Sequence, residues 1–495
     1  MARIAACVGL CLLILAGAAR ADNPPTAVLP ARVETHHSIV LSGHRLDYDA
    51  IAETFALTDR KGAETASIFT VSYLAVTSAE TTRPVSFVFN GGPGAASVFL
   101  HLGALGPEIV ETPADGDAPP PPVRLVDNPA TWLPFTDLVF IDPVGTGYSH
   151  GEGKADNPDK AFWDVHADLG SLDSVVRLWL TRHQRWASPV YLVGESYGGF
   201  RAAAMARELP RQVDVRVSGL VLISPALDLS ALHPDRRDLL AAAFYLPTYA
   251  AVATALGIPG ADPDLAAVEH FALGDYLVGL AALQGQPPPD DPLIAKIAAM
   301  TGLRREIVHR WRGQVPNYVF ARTILRSRGE RVSLYDGTIA RPAPADERGA
   351  GDPLLPQIAA AFGSAFNAYA AGTLDYHTTL PYRVLAGDVS RQWNWEGERS
   401  KGERGLPLAS LEAALIADPQ MKVLIANGRY DLVAPYLSSR WLIGQLPLPP
   451  ATRTHIELRV YPGGHMMYLR PASRAALEED AARLYATSAA GAPPQ

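Results

Sequence analysis

The stretch Gly194-Glu195-Ser196-Tyr197-Gly198 decides the fold. It follows a short, apolar and β-prone run, residues 189–193, and it precedes a run typical of a helix, residues 199–209, that we expect to end at Pro210. A G-x-S-x-G pattern between a strand and a helix indicates a nucleophile elbow. This turn is so tight that the serine is strained and the flanking positions must be glycine. The serine hydroxyl is then raised above the edge of a sheet. The tyrosine N–H points the same way at the start of the helix, where the helix dipole favours negative charge.

Composition places the chain among large folded proteins. Of its 495 residues, 48% are hydrophobic and 19% are charged, and this length could hold two or three average domains or one large α/β domain with an insertion. The formal net charge of −8 gives no electrostatic footprint for nucleic acid, so we expect no nucleic-acid partner.

The first 21 residues have the features of a secretory signal peptide. Arg3 supplies positive charge, residues 4–16 are apolar, and Ala19-Arg20-Ala21 has the form of a cleavage site. The apolar core is too short to cross a membrane. The only cysteines, Cys7 and Cys11, lie in this segment. We therefore predict an exported protein, periplasmic or extracellular, that has no disulfides once residues 1–21 are removed.

Strands and helices alternate along residues 22–229. The Pro- and Ala-rich stretch 22–38 is expected to form a loose leader. Early antiparallel strands are predicted at residues 38–48 and 64–76, buried strands at 85–89, 137–142 and 220–223, and an amphipathic helix at 169–179. This succession predicts an α/β fold with a mostly parallel, doubly wound sheet.

Helical patterns replace this rhythm between about residues 230 and 390. A stripe of apolar residues at helical spacing includes Ile358 and Phe362, and Pro247 interrupts the apolar run 239–258, which we interpret as a buried helix. Strands return at 422–426 and 455–460, and a last helix is predicted at 473–485. We therefore predict a core built from residues 22–229 and 391–495, with residues 230–390 inserted as a helical cap over the carboxyl ends of the strands.

The turn Asn90-Gly91-Gly92-Pro93-Gly94 follows the strand 85–89, and a helix is predicted to start at Ala95. It lacks the G-K-[ST] of a phosphate-binding loop. In hydrolases with a nucleophile elbow, a Gly-rich loop after an early strand supplies the second oxyanion donor, because bare backbone must approach the substrate carbonyl. We therefore predict that the N–H groups of Gly92 and Tyr197 form an oxyanion hole.

No cofactor or metal is predicted. Gly145-Thr146-Gly147 is an incomplete dinucleotide fingerprint, which we interpret as a structural turn. His36, His37 and His44 lack companion ligands at suitable spacing, so surface histidines are the better interpretation.

A serine nucleophile needs a base, and the base needs an acid to hold it. In hydrolases with a nucleophile elbow, the nucleophile, the acid and the base follow one another along the chain as Ser, then Asp or Glu, then His. Asp431 follows the strand 422–426, and His465 follows the strand 455–460 with two glycines before it. We predict that His465 takes the proton of Ser196, that Asp431 fixes the imidazole, and that water releases the resulting acyl-enzyme.

Five stretches together resemble the serine carboxypeptidases, in their bacterial branch. They are residues 90–94, 142–149, 194–199, 428–435 and 463–468. The resemblance implies an α/β-hydrolase with a helical cap that releases single C-terminal residues from peptides, with the same triad and oxyanion hole. It also implies that Asn90, Gly91 and Glu195 bind the free carboxylate of the substrate. Because one carboxyl group can donate to another only when it is protonated, protonation of Glu195 is expected to favour binding at acid pH.

The sequence departs from this family at two places. Many members carry a Glu that pairs with the Glu of the elbow, but here Ala104 stands at that position and Glu108 is displaced. Many members also have Cys where this chain has Ala95. The acid pair is therefore expected to be missing.

Two other functions remain open from the sequence. An esterase, or an acyltransferase in which an alcohol replaces water, uses the same chemistry, and the predicted carboxylate site favours peptides over both. A binding protein that kept the fold and lost catalysis is the competing class, and the intact Ser196, Asp431 and His465 argue against it.

Overall fold

A computed structural model describes residues 29–77, 82–232, 237–261, 264–283, 285–288, 290–346, 351–395 and 406–490. For residues 487–490 it describes the backbone alone. The predicted signal peptide lies outside the described residues.

A ten-stranded sheet forms the centre of the molecule. Nine of its strands are β1 (Arg32–Leu41), β2 (His44–Thr58), β3 (Glu64–Ala75), β4 (Val85–Phe89), β5 (Asp137–Ile141), β6 (Val190–Glu195), β7 (Val217–Ile223), β8 (Lys422–Gly428) and β9 (Ile456–Tyr461). Their order is β1-β2-β3-β5-β4-β6-β7-β8-β9, and the two-residue strand His150–Gly151 pairs with β3. Pairing is antiparallel from β1 to β5 and parallel from β5 to β9. The predicted α/β fold with a mostly parallel sheet is confirmed.

The central strands β4, β5 and β6 are buried at every position because both faces of the sheet are covered. Phe87 and Phe89 pack into one hydrophobic cluster, whereas Val88 between them packs into the other. The same alternation holds along β7, where Leu222 and Ile223 join opposite clusters. Burial of both faces thus explains why apolar residues predominate in these strands.

Helices supply the covering layers. Outside the segment between β7 and β8 they are Val165–Arg182, Tyr197–Gln212, Tyr436–Gly444 and Pro471–Ala490, with short turns at Val98–Leu100 and Pro450–Arg453. Between β7 and β8 lie Leu229–Leu232, Leu239–Ala255, Leu265–Phe271, Leu277–Ala282, Pro292–Thr301, Arg305–Arg310, Asn317–Thr323, Leu355–Gly372, Gly387–Gln392 and Leu406–Ala417. Two small hairpin sheets pair Glu108–Val110 with Leu125–Asp127 and Glu330–Val332 with Ala340–Pro342.

Several sequence-based boundaries are wrong. Residues 32–38 belong to β1 rather than to a loose leader, and the predicted strand 38–48 crosses the hairpin turn between β1 and β2. The helix after the elbow continues through Pro210 to Gln212, because a proline near the end of a helix removes one hydrogen bond without stopping the last turn. No helix starts at Ala95 in this part of the chain; the first helical turn begins at Val98.

The predicted cap, residues 230–390, lies within the helical segment between β7 and β8, and its limits stay a prediction. Its helix Leu239–Ala255 is largely buried in the core, as the sequence indicated. Within the described residues, the stretch Leu265–Ala282 is long and apolar enough to cross a membrane, by length and composition alone, and 28% of it is buried.

Candidate active site

Ser196 lies in a strained turn between β6 and the helix Tyr197–Gln212. Its φ of 58° and ψ of −120° are rare for a residue with a side chain. The turn closes so tightly that a Cβ at Gly194 would lie 2.0 Å from the carbonyl oxygen of Gly198. The Ser196 N–H donates to the carbonyl of Ile223 at 2.9 Å, so the end of β7 holds the turn in place. This geometry is that of a nucleophile elbow.

The backbone of the Gly-rich loop after β4 packs directly against the backbone of the elbow. A Cβ at Gly198 would lie 2.2 Å from the carbonyl oxygen of Phe89. A Cβ at Gly91 would lie 2.5 Å from the backbone N of Tyr197 and 3.0 Å from the Cβ of Ser196. The two predicted sources of oxyanion donors are therefore held together, because only glycine permits this approach.

We expect Gly91→Ala to lower kcat by on the order of 10²- to 10³-fold, the effect of losing one oxyanion donor. The new methyl group meets backbone atoms of the elbow, so the loop must move away from Tyr197. Steady-state kinetics on a substrate of Ser196 would measure the loss. Gly170→Ala is the matched control, since nothing lies within 4 Å of a Cβ at Gly170. An unchanged kcat in Gly91→Ala would contradict the oxyanion assignment.

His465 and Asp431, which follow β9 and β8, form a buried pair. The Nδ1 atom of His465 lies 2.8 Å from Oδ2 of Asp431, and both residues are almost fully buried. The other oxygen, Oδ1, accepts the N–H groups of Val433 and Ala434 at 2.8 and 2.9 Å. Asp431 is thus fixed on one side by backbone and on the other by the imidazole, which is the role of the acid in a triad.

Burial alone would lower the pKa of His465, but the charge and hydrogen bond of Asp431 and the charge of Glu195 leave it raised. The backbone of His465 is held from two sides. Its N–H donates to the carbonyl of Tyr335 at 2.5 Å, and its own carbonyl accepts the hydroxyl of Ser224 at 2.8 Å. Tyr335 comes from the segment between β7 and β8, so that segment helps to position the predicted base.

Most of the predicted site residues line one cavity of about 280 Å³. Seven of the eight predicted site residues line it: Asn90, Gly91, Gly92, Glu195, Ser196, Tyr197 and His465. Asp431, the eighth, lies behind His465. Most of the remaining wall is apolar or aromatic: Ala95, Phe99, Ala226, Leu229, Leu232, Tyr335, Leu355, Leu385, Trp395, Val433 and Met466. Among the described residues that line it, no side chain belongs to Lys or Arg.

Glu195 is buried, and its carboxyl group has two described hydrogen-bond partners. The amide Nδ2 of Asn90 donates to Oε2 at 3.0 Å, and the hydroxyl of Tyr468 donates to the same oxygen. Burial raises the pKa of Glu195 to about 7, although the charge of His465 and both hydrogen bonds act in the opposite direction. Glu195 therefore changes charge near neutral pH.

The expected absence of an acid pair agrees with these contacts. Ala104 is buried in the turn His101–Leu105, and Glu108 belongs to the small hairpin sheet. Neither residue is among the described residues that line the cavity. In the described part of the chain, a phenol rather than a second carboxyl bonds to Glu195.

Sequence reasoning missed two positioning contacts. Tyr468 closes a stretch that the sequence had singled out, only three residues after His465, and that proximity was the available signal. Arg201 was assigned only to a helix. Its guanidinium binds both oxygens of Asp168 at 2.8 and 3.0 Å and donates to the carbonyl of Asn90 at 2.8 Å.

The fold supplies companions for His36 that sequence spacing did not reveal. Ligand atoms of Glu34, His36 and Asp49 lie within 4.8 Å of one another, so the expectation of no companions is wrong. His36 Nδ1 already lies 2.5 Å from Oδ1 of Asp49, and this bond raises the pKa of His36. An exposed ion pair accounts for this geometry without a cation.

A strained serine after β6, with a carboxylate and an imidazole after later strands of the same sheet, defines an α/β-hydrolase. The family model described as serine carboxypeptidase matches residues 59–232. The predicted resemblance to serine carboxypeptidases is thus confirmed over this part of the chain, which includes the Gly-rich loop and the elbow.

Curated relatives match over a similarly limited length. Serine carboxypeptidase-like 8 of Arabidopsis thaliana is 28% identical over 129 residues, 26% of this chain and 28% of the relative. Retinoid-inducible serine carboxypeptidase of Rattus norvegicus is 29% identical over 133 residues, 26% of each chain. Serine carboxypeptidase-like 33 of Arabidopsis thaliana is 26% identical over 177 residues, 33% of this chain and 34% of the relative. The matched region therefore spans between a quarter and about a third of these relatives.

Solved structures are similar at a greater distance. A peroxisomal alpha-beta-hydrolase of Saccharomyces cerevisiae has a TM-score of 0.39 at 11% identity, covering 94% of this chain and 90% of that one. Brefeldin A esterase, a bacterial homologue of human hormone sensitive lipase, has a TM-score of 0.40 at 12% identity, covering 89% and 78%.

Proposed function

We propose that the protein is a serine carboxypeptidase that hydrolyses the C-terminal peptide bond of peptides. In the proposed reaction, Ser196 attacks the carbonyl carbon while His465 takes its proton. Asp431 stabilises the imidazolium, and the N–H groups of Gly92 and Tyr197 hold the oxyanion. His465 then gives its proton to the leaving amine, and water releases the acyl group from Ser196.

The observation that carries this proposal is a carboxyl group of raised pKa beside the nucleophile. Glu195 precedes Ser196 in the chain and lines the same cavity. No Lys or Arg is among the described lining residues, so we expect neutral donors to bind a substrate carboxylate there. Protonated Glu195, the Asn90 amide and the Gly91 backbone can supply them.

The lining of the cavity favours substrates that have neutral, apolar side chains near the scissile bond. Trp395 and Leu385 are 37% and 40% exposed, and the other apolar and aromatic residues that line the cavity are buried or half-buried. Burying an apolar side chain against such a wall is favourable, whereas a charged side chain would lose its hydration without a described partner.

We also propose that the protein is exported. Arg3, the apolar residues 4–16 and the Ala19-Arg20-Ala21 sequence support this proposal. Residues 29–495 contain no cysteine, so folding in an oxidising compartment requires no disulfide in this part of the chain.

The deciding experiment compares a blocked dipeptide with its C-terminal amide and its C-terminal ester. Below pH 6 we expect kcat/KM for the free acid to exceed that for the amide by roughly ten- to a hundredfold, the worth of hydrogen bonds to a charged group. For the free acid, kcat/KM should fall as pH rises through about 7, the pKa to which burial raises Glu195. The amide should lack this alkaline fall.

Other outcomes would identify the alternatives. Hydrolysis of the ester alone would indicate an esterase, and transfer of the acyl group to an added alcohol in preference to water would indicate an acyltransferase. A folded protein that a fluorophosphonate does not label at Ser196 would indicate a binding protein. A free-acid profile that is flat or rises to alkaline pH would contradict the role given to Glu195.

A further inference from the structure

Tyr468 occupies the space beside the turn that carries Ala104. A Cβ placed on Gly103 would lie 3.1 Å from Cε2 of Tyr468, so the ring packs against the turn His101–Leu105. Tyr468 is fully buried. Its hydroxyl reaches across 273 positions of sequence to donate to Oε2 of Glu195.

The two donors to Glu195 converge on one oxygen. Tyr468 and Asn90 both donate to Oε2, so a proton added to the carboxyl group is directed to Oε1. Oε1 is thereby the oxygen that can donate to a ligand in the cavity. Without these two bonds, the carboxyl group could rotate and place its proton on either oxygen.

We propose that Tyr468 is a positioning residue for substrate recognition: it orients Glu195 so that the acid form presents its proton to the substrate carboxylate, and it sets the upper pH limit of that recognition. This inference rests on the proposed carboxypeptidase function. It names Tyr468 as the residue whose hydrogen bond orients Glu195.

The groups that face Glu195 decide in which direction its pKa moves when the Tyr468 hydroxyl is removed. Burial raises its pKa to about 7, the charge of Asp431 raises it further, and the charge of His465 and the bonds from Tyr468 and Asn90 lower it. Tyr335 is the remaining described titratable group whose pKa depends on the charge of Glu195. A phenol that donates to a carboxylate stabilises its charged form, so removing the hydroxyl raises the pKa of Glu195.

Tyr468→Phe tests the proposal because it removes only the hydroxyl. For the free-acid dipeptide, we expect the alkaline fall of kcat/KM to move up by roughly one pH unit, a tenfold change in the protonation equilibrium, with the change mainly in KM. For the C-terminal amide, the shape of the pH profile should not change. Tyr461→Phe is the matched control, since Tyr461 also donates to a buried carboxylate, Asp480 at 2.5 Å, away from the cavity lining.

Two results would overturn the proposal. One is an alkaline limb that stays in place in folded Tyr468→Phe, and the other is an equal loss for acid and amide at every pH. If wild-type protein shows no preference for the free acid, the proposed function itself fails, which is a different outcome.

Glu195→Gln keeps the test decisive if Tyr468→Phe does not fold. Tyr468 and Asn90 would hold the amide oxygen at the Oε2 position, leaving the NH₂ group to donate to the substrate at any pH. We expect the free-acid profile of this variant to lose its alkaline fall. Retention of that fall would overturn the proposed orientation of Glu195.

Discussion

We expect Asp431→Asn to lower kcat by on the order of 10⁴-fold, because the variant holds His465 in the wrong tautomer. Oδ1 of Asp431 accepts two backbone N–H groups, and Oδ2 faces Nδ1 of His465. An asparagine satisfies the backbone donors only with its amide oxygen at the Oδ1 position. Its NH₂ group then donates to Nδ1, so the ring proton moves to Nε2 and the ring cannot accept the proton of Ser196.

Two measurements check this prediction: kcat for a blocked dipeptide and the rate at which a fluorophosphonate labels Ser196. Both should fall together, because both need His465 as a base. Asp480→Asn is the control, since Asp480 is also buried and hydrogen-bonded but does not line the cavity. A folded Asp431→Asn protein that keeps a tenth of wild-type kcat would show that another group orients the base.

The elbow and the central strands could be predicted from sequence because their requirements are local. Gly194 and Gly198 leave no room for a Cβ, and that constraint is visible in five letters. The strands β4, β5 and β6 are buried on both faces, so each is mostly apolar, with Ser86, Asp137 and Glu195 among the exceptions. The order of Ser196, Asp431 and His465 followed from the fold once the elbow was recognised.

The errors arise where long-range contacts override local pattern. The β1 strand has polar residues such as Glu34 and His36 and is largely exposed, so composition alone indicated a leader; pairing with β2 makes it a strand. Ala95 is held outside a helix by a bridge to Leu385, and the next N–H, of Ala96, donates to the carbonyl of Val384. These partners lie almost three hundred positions away, so no local window could show them.

The contacts around the predicted oxyanion hole were hidden for the same reason. Arg201 reads as one more helical residue in the sequence, yet it is 1% exposed. Its guanidinium carbon lies 4.8 Å from the ring centroid of Tyr197, and the same group binds Asp168 and the carbonyl of Asn90. One side chain therefore connects the helix Val165–Arg182 to both sources of oxyanion donors.

We expect Arg201→Leu to reduce the free energy of unfolding by about 3–5 kcal/mol, the cost of leaving a buried charge without its partner. Asp168 is 3% exposed, and burial raises its pKa even though Arg201 acts in the opposite direction. Asp168→Leu should destabilise the protein for the same reason, by leaving the guanidinium unpaired. Urea denaturation of each variant would measure these losses.

The double variant Arg201→Leu/Asp168→Leu separates stability from positioning. An apolar pair of similar volume often replaces a buried ion pair without loss, so we expect the double variant to regain most of the free energy of unfolding. Catalysis should not return with it, because the Asn90 carbonyl still lacks its donor and the Tyr197 ring still lacks the cation. We expect kcat/KM to remain reduced by roughly tenfold or more, since small displacements of oxyanion donors are costly. A stable double variant with wild-type kcat/KM would show instead that the Arg201–Asp168 pair serves folding alone.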